Sequence, residues 1–132
     1  MNALEIIKKC RKYAVIGLKN DSSKYVYKIY KRLIELNYEV YGVSSYIDEL
    51  DGVKIYSSLK EVPSDIEVAV FVVTKEKGYK YVDECKVLNI PYLWFQPGTY
   101  DDDFLNYLEE NRLHYYLNCI LRRVDELEKN ID

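Results

Sequence analysis

Short apolar runs alternate along this chain with stretches in which apolar residues recur every three or four positions. Lys12–Gly17, Glu39–Val43, Glu67–Val73, Pro91–Phe95 and His114–Leu117 read as strands. The first is apolar enough to be buried on both faces, and Glu67–Val73, the most apolar, is expected at the sheet centre. Asn2–Cys10, with Leu4, Ile6 and Ile7 as its apolar positions, reads as a helix, as do Ser23–Asn37, Lys75–Asn89, Asp101–Asn111 and Ile120–Lys129. In the helix from Ser23, Val26, Ile29, Tyr30, Leu33 and Ile34 form the core-facing stripe. In the helix from Lys75 the stripe is Tyr79, Val82, Cys85 and Leu88. Ser22 or Ser23 suits a helix N-cap and Asn37 suits a stop. Ser44–Gly52 reads as a polar loop, Val53–Tyr56 as a short edge strand, and Ser57–Val62 as a helical turn ended by Pro63.

Strands alternating with helices of this length predict an α/β fold with a doubly wound, mostly parallel sheet. Strands one and two should be parallel, joined by a right-handed crossover through the intervening helix. The 132 residues fit one domain, 1–132, without repeat, linker or low-complexity segment.

Composition narrows the class. Hydrophobic residues make up 48% and charged residues 31%, the profile of an ordinary folded protein. No apolar run approaches the length needed to span a bilayer, and the first ten residues lack the order of a signal peptide. A cytoplasmic location is the expectation. Cys10, Cys85 and Cys119 form no CxxC pair and leave an odd thiol, so reduced and mostly buried cysteines are expected. One histidine and scattered cysteines supply no zinc pattern. Fifteen tyrosines stand out; Tyr25, Tyr27, Tyr79 and Tyr81 suit half-buried packing on helices, and an exposed tyrosine patch would suit a homodimer.

Charge is uneven. Residues 1–37 carry nine basic and three acidic side chains, a balance of +6, and the remainder ten basic and nineteen acidic, a balance of −9. The basic end carries the first strand and the turn that follows it. A field of that sign favours a polyphosphate, although a solvated basic helix face is the ordinary alternative. Nucleic acid is disfavoured by the acidic remainder and by the lack of a recognised motif.

In an open parallel sheet, ligands bind beyond the carboxyl ends of the strands, where the strand order reverses. That rule selects four loops: Gly17–Ser23, Val43–Tyr46, Val73–Lys75 and Gln96–Gly98. The first holds only one glycine of the GxGxxG fingerprint, with Lys19 and Ser22 at the later positions. At the end of strand two, where dinucleotide-binding chains carry Asp or Glu, stand Ser44 and Ser45. Both features lower the odds of NAD or FAD.

Tyr13-Ala-Val-Ile-Gly-Leu, Tyr38-Glu-Val-Tyr-Gly-Val, Gly52-Val-Lys-Ile-Tyr-Ser-Ser-Leu-Lys-Glu-Val-Pro63, Leu93-Trp-Phe-Gln-Pro-Gly98 and Asn118-Cys-Ile together give a specific resemblance over about residues 10–125. The chain resembles the small bacterial CoA-binding domain family, akin to the CoA-binding domain of the succinyl-CoA synthetase alpha subunit. The resemblance implies a Rossmann-like, doubly wound, mostly parallel sheet of five or six strands with helices on both faces. It implies a nucleotide ligand, CoA or an acyl-CoA, in the cleft at the carboxyl ends of the strands. The glycine turn and the amino end of the following helix would hold the phosphates, and the ends of the strands Glu39–Val43 and Glu67–Val73 would flank the adenosine or pantetheine. Carried over by position, the cofactor-binding residues are Gly17, Leu18, Lys19, Ser23, Lys24, Val43, Ser44, Val73, Gln96, Pro97 and Gly98. The chain leaves the family pattern at Lys19, Ser22, Tyr25-Val26, Ser44-Ser45 and Thr74-Lys75, so that Lys19 and Lys24 would replace lost hydroxyl contacts as point charges.

No nucleophile–base pair, paired carboxylates or metal constellation emerges, so no catalytic and no metal residue is assigned, and the chain reads as a binding domain rather than an enzyme. The consecutive acids Asp101, Asp102 and Asp103 read as capping and dipole residues. His114 reads as structural. Cys119 stands at the amino end of the last helix, where a thiol's pKa can fall; packing is the commoner role for such a residue. The rival reading is a degenerate domain without a nucleotide that works through protein–protein contacts.

Overall fold

The computed structural model describes residues 2–129. Helix α1 (Ala3–Lys9) leads into strand β1 (Lys12–Ile16), helix α2 (Tyr25–Glu35) and strand β2 (Glu39–Val43). A small hairpin of β3 (Glu49–Leu50) and β4 (Val53–Lys54) follows, then a 3-10 turn at Leu59–Glu61. The second half alternates β5 (Val68–Phe71), α3 (Lys75–Leu88), β6 (Tyr92–Phe95), α4 (Asp102–Glu110), β7 (Tyr115–Leu117) and α5 (Ile120–Lys129).

Five strands pair in the order β2-β1-β5-β6-β7, every pair parallel. The α/β, doubly wound expectation holds, with five strands in the main sheet and β5 at its centre. The chain leaves β1 toward β2, then crosses back to β5 on the other side. The order therefore reverses between β1 and β5.

Strand alternation builds the two layers. In β1, Tyr13 and Val15 point into one apolar cluster and Ala14 and Ile16 into another. In β5, Val68 and Val70 join the first cluster, Ala69 and Phe71 the second. The first cluster takes in Ile6 and Ile7 of α1, Ile29 and Leu33 of α2, and Ile120 and Val124 of α5. The second takes in Leu59 of the 3-10 turn, Val82 and Cys85 of α3, and Phe104 and Leu108 of α4. Helices thus flank both faces, and strands buried on both sides need the continuous apolar runs seen in the sequence.

Several local expectations change. Helix α2 starts two residues later than read, and its N-cap is Lys24, not Ser22 or Ser23. The reason is Asp21, whose Oδ1 accepts both the Ser23 N–H at 2.9 Å and the Ser23 hydroxyl at 2.6 Å. That local turn holds Ser23 away from the helix amides. Asn37 does end the helix, at φ 67°, with the Tyr38 N–H reaching the Leu33 carbonyl. Ile34 and Leu88 are exposed, one at each margin of its helix stripe. In α3 the buried face is instead Gly78, Tyr81, Val82 and Cys85, with the Glu84 carboxylate accepting the Leu59 N–H. The loop read over Ser44–Gly52 contains β3, and the predicted edge strand at Val53–Tyr56 divides. Val53–Lys54 turns back on β3, while Tyr56 extends the sheet edge through a parallel bridge to Val43. Asp101 caps α4, accepting the Phe104 N–H at 2.9 Å, as its position implied.

Candidate functional site

The four selected loops all follow carboxyl ends of strands: β1, β2, β5 and β6. The first two are stitched together. The Ser44 hydroxyl donates to the Leu18 carbonyl at 2.6 Å and accepts the Tyr46 N–H at 2.9 Å, and the Gly17 N–H donates to the Val43 carbonyl. Leu18, Val43 and Ser44 are buried.

The first loop also presses on the third. Gly17 has φ 113°, and a Cβ there would fall 2.3 Å from the Val72 carbonyl oxygen and 2.8 Å from Val73 Cγ1. The glycine is required by the protein's own backbone at the β1/β5 reversal, independently of any ligand. Beyond it Lys19, Ser23 and Lys24 are exposed. The ammonium groups of Lys19 and Lys77 lie 5.0 and 3.7 Å from the Tyr46 ring centre, so this ring gathers two cations at the rim. Helix α2 begins here with no side-chain cap, which leaves the positive end of its dipole facing the loop.

The fourth loop is a tight turn. The Thr99 N–H reaches the Gln96 carbonyl, with Pro97 and Gly98 (φ 87°) at the corners. The Gln96 side chain is 2% exposed, and its Oε1 accepts the Ile120 N–H at 2.8 Å. This turn borders a cavity of about 630 Å³ lined by Tyr25, Val72, Gln96, Pro97, Cys119 and Arg122 among others. Of the sequence-derived candidates, only Gln96 and Pro97 line it.

Tyr25 and Cys119 are the residues that the sequence did not bring together. The Tyr25 hydroxyl lies 2.8 Å from Cys119 Sγ, across 94 positions of chain. Burial disfavours the Cys119 thiolate, but the Tyr25 hydroxyl, the Arg122 amide and the Gln96 side chain outweigh it, and the thiol is held below the ordinary cysteine range. The same contact, aided by burial, pushes the Tyr25 phenol up to about 12, so it remains a donor at neutral pH. The bulk of Tyr25 at the helix start was the available clue. Cys10 and Cys85 are buried, and burial raises both thiols.

A larger cavity of about 730 Å³ lies at the opposite edge of the sheet, lined by Lys12, Pro63, Glu67, Asn89 and Pro91 among others. The carboxyl end of α3 borders it at Asn89, and a helix carboxyl end repels phosphate. The carboxyl edge is the better anion site. Among the described residues no three His, Cys, Asp or Glu side chains gather as a metal site, and no helix is long and apolar enough to cross a membrane. His114 is exposed and contributes its carbonyl to the Leu93 N–H. Lys75, in the third loop, is tied to Asp101 at 2.5 Å. Tyr25 and Tyr46 are the tyrosines that stand out as strongly exposed among the described residues, and Tyr81 is buried.

Comparison with known proteins finds relatives of this chain and of its fold. Over 76 residues the chain is 40% identical to the acetate–CoA ligase [ADP-forming] II subunit alpha of Pyrococcus furiosus, covering 57% of this chain and 17% of that subunit. It is 28% identical over 106 residues to the uncharacterised protein YneT of Bacillus subtilis, covering 80% and 78%. A solved hypothetical protein from Pyrococcus horikoshii superposes with a TM-score of 0.86 at 28% identity, covering 93% of this chain and 87% of that one. The chain thus spans less than a fifth of the ligase subunit it matches. These relatives widen the resemblance seen in the sequence: they include archaeal as well as bacterial proteins, and a ligase alpha subunit of acetate rather than succinate metabolism. The family model described as the CoA binding domain, a binding module and not a catalytic one, matches residues 11–125, and the chain belongs to that family.

Proposed function

We propose that this chain binds CoA or an acyl-CoA, without chemical turnover, across the carboxyl edge of its sheet. The observation that carries the reading is the amino end of α2. No side-chain hydrogen bond caps it, Lys24 is its N-cap residue, and Lys19 is exposed in the turn that leads from β1 into it. Free helix amides with two flanking cations are what a pyrophosphate requires. In this reading Gly17, Leu18 and Ser23 shape the turn, held by their own hydrogen bonds to Val43, Ser44 and Asp21, and Lys19 and Lys24 supply charge. Val43, Ser44 and Val73 form the floor, and Gln96, Pro97 and Gly98 flank the pantetheine. The family membership supports CoA over other phosphates, and the absence of the GxGxxG spacing supports it over a dinucleotide.

Titration calorimetry with CoA, acetyl-CoA and NAD tests the reading. Saturable heat with a CoA species and none with NAD is expected. No heat with either CoA species, or equal binding of NAD, would contradict it.

A further inference from the structure

We propose that the cavity between the starts of α2 and α5 takes the terminal carboxylate of an acyl group, held by Arg123 with Arg122 beside it. The chain then prefers an acyl-CoA whose acyl group ends in a carboxylate. The proposal rests on the CoA-binding reading and names the acyl class for that same site.

The cavity of about 630 Å³ has two charged residues on its wall, Arg122 and Arg123, and no acid. Both arginines stand near the amino end of α5, whose first turn holds no acidic residue. Helix starts ordinarily favour acids, because the dipole is positive there. Two arginines reverse that pattern and concentrate positive charge on one wall. A field of that sign in a cavity draws an anion.

Arg123 marks where the anion belongs. Its Nη1 meets Glu126 at 3.1 Å. Its Nε is buried and has no hydrogen-bond partner. In a planar guanidinium, Nε and Nη2 form a fork on the side away from Nη1, and a carboxylate takes such a fork with two parallel hydrogen bonds. Buried donors are almost always paired, so this fork lacks its acceptor. Arg122 is exposed and joins no ion pair among the described residues, which leaves its charge to the same anion.

The rest of the wall suits the chain that bears the carboxylate. Val72, Pro97 and Leu117 are apolar, and Leu117 is 38% exposed. A few methylene groups laid on these side chains would remove apolar surface from water. The position is also suitable. From β1, beside the phosphate-binding turn, to β7, whose last residue Leu117 lines the cavity, the sheet crosses three strand spacings of about 4.8 Å, or ~14 Å. An extended pantetheine arm bridges that span, with the phosphates at α2 and the acyl group in the cavity.

Titration calorimetry of the full-length chain with two stable thioethers of equal length, S-(3-carboxypropyl)-CoA and S-butyl-CoA, tests the proposal. The carboxylate should bind about tenfold tighter, the lower end of what a hydrogen bond between charged groups supplies. Arg123→Gln should abolish most of that preference and leave S-butyl-CoA within about twofold of its wild-type affinity. Arg123→Lys keeps the charge without the fork and should restore only part of it. Arg122→Gln, at an exposed position, should reduce the preference about threefold. Equal affinity for the two thioethers in the wild type would overturn the proposal, whatever the variants do. So would a preference that survives Arg123→Gln, or variants that weaken both thioethers alike, which would place the arginines on the phosphates. Titration of CoA itself separates the two claims. CoA binding with no preference between the thioethers defeats only the carboxylate subsite, and no binding of any CoA species defeats the reading beneath it as well.

Discussion

Gln96 Oε1 accepts the Ile120 N–H at 2.8 Å and so ties the turn after β6 to the first amide of α5. One buried side chain thereby joins the fourth loop of the carboxyl edge to the helix that carries Cys119. Gln96→Leu removes this acceptor and leaves the buried Ile120 amide unpaired. The expected loss of stability is about 2 kcal/mol, within the usual penalty for a stranded buried group, measured by urea unfolding.

Two glycines should respond differently to the same substitution. Gly98 has φ 87° and open space about its Cβ position, so Gly98→Ala carries only the left-handed backbone penalty of about 1 kcal/mol. At Gly17 the added methyl also meets the Val72 carbonyl, which cannot swing aside as a side chain could. Gly17→Ala should cost at least ~2 kcal/mol more than Gly98→Ala in the same unfolding experiment.

The stitch between the first two loops is testable on its own. Ser44→Ala deprives the Leu18 carbonyl and the Tyr46 N–H of their shared hydroxyl. A loss of about 2 kcal/mol is expected. Unchanged stability would show that these loops hold together without it.

The lysines should act as charges and not as shape. Lys19→Ala and Lys24→Ala are expected to weaken CoA about threefold each and about tenfold together, because exposed charges act through a screened field. The difference from the wild type should shrink as salt is raised, in calorimetric titrations at two ionic strengths.

The Lys75–Asp101 pair predicts a pH dependence. The Lys75 ammonium, and then the Phe104 amide, hold the Asp101 carboxyl below the ordinary carboxylate range. A depressed acid stabilises the fold above its unfolded value and loses that contribution as pH falls through the folded one. Asp101→Asn should melt below the wild type at pH 7, and the gap should close below about pH 4.

Much of the fold was legible because β1, β5 and β6 are buried on both faces and announce themselves as continuous apolar runs. The bounds of β2 and α5 match the pattern reading, and Asn37 and Asp101 act as the stop and cap their residue types suggest. The α2 start was misread because Asp21 competes for Ser23, a contact two residues away that residue preference alone does not reveal. The candidate loops were legible from topology. The Tyr25–Cys119 contact was not, since it depends on how the start of α2 meets the start of α5, and no local spacing encodes that.

The central claim is a CoA ligand on the carboxyl edge of the sheet, and amide chemical-shift mapping of the isotope-labelled protein tests it most directly. On addition of CoA, saturable shifts should appear at Gly17–Lys24, Gln96, Gly98 and Asn118–Ile120, while a separate groove of about 370 Å³, lined by Ile7, Leu36 and Leu127 among others, stays silent. No saturable shift, or shifts confined to that groove or to the opposite edge around Glu67 and Asn89, would contradict the account.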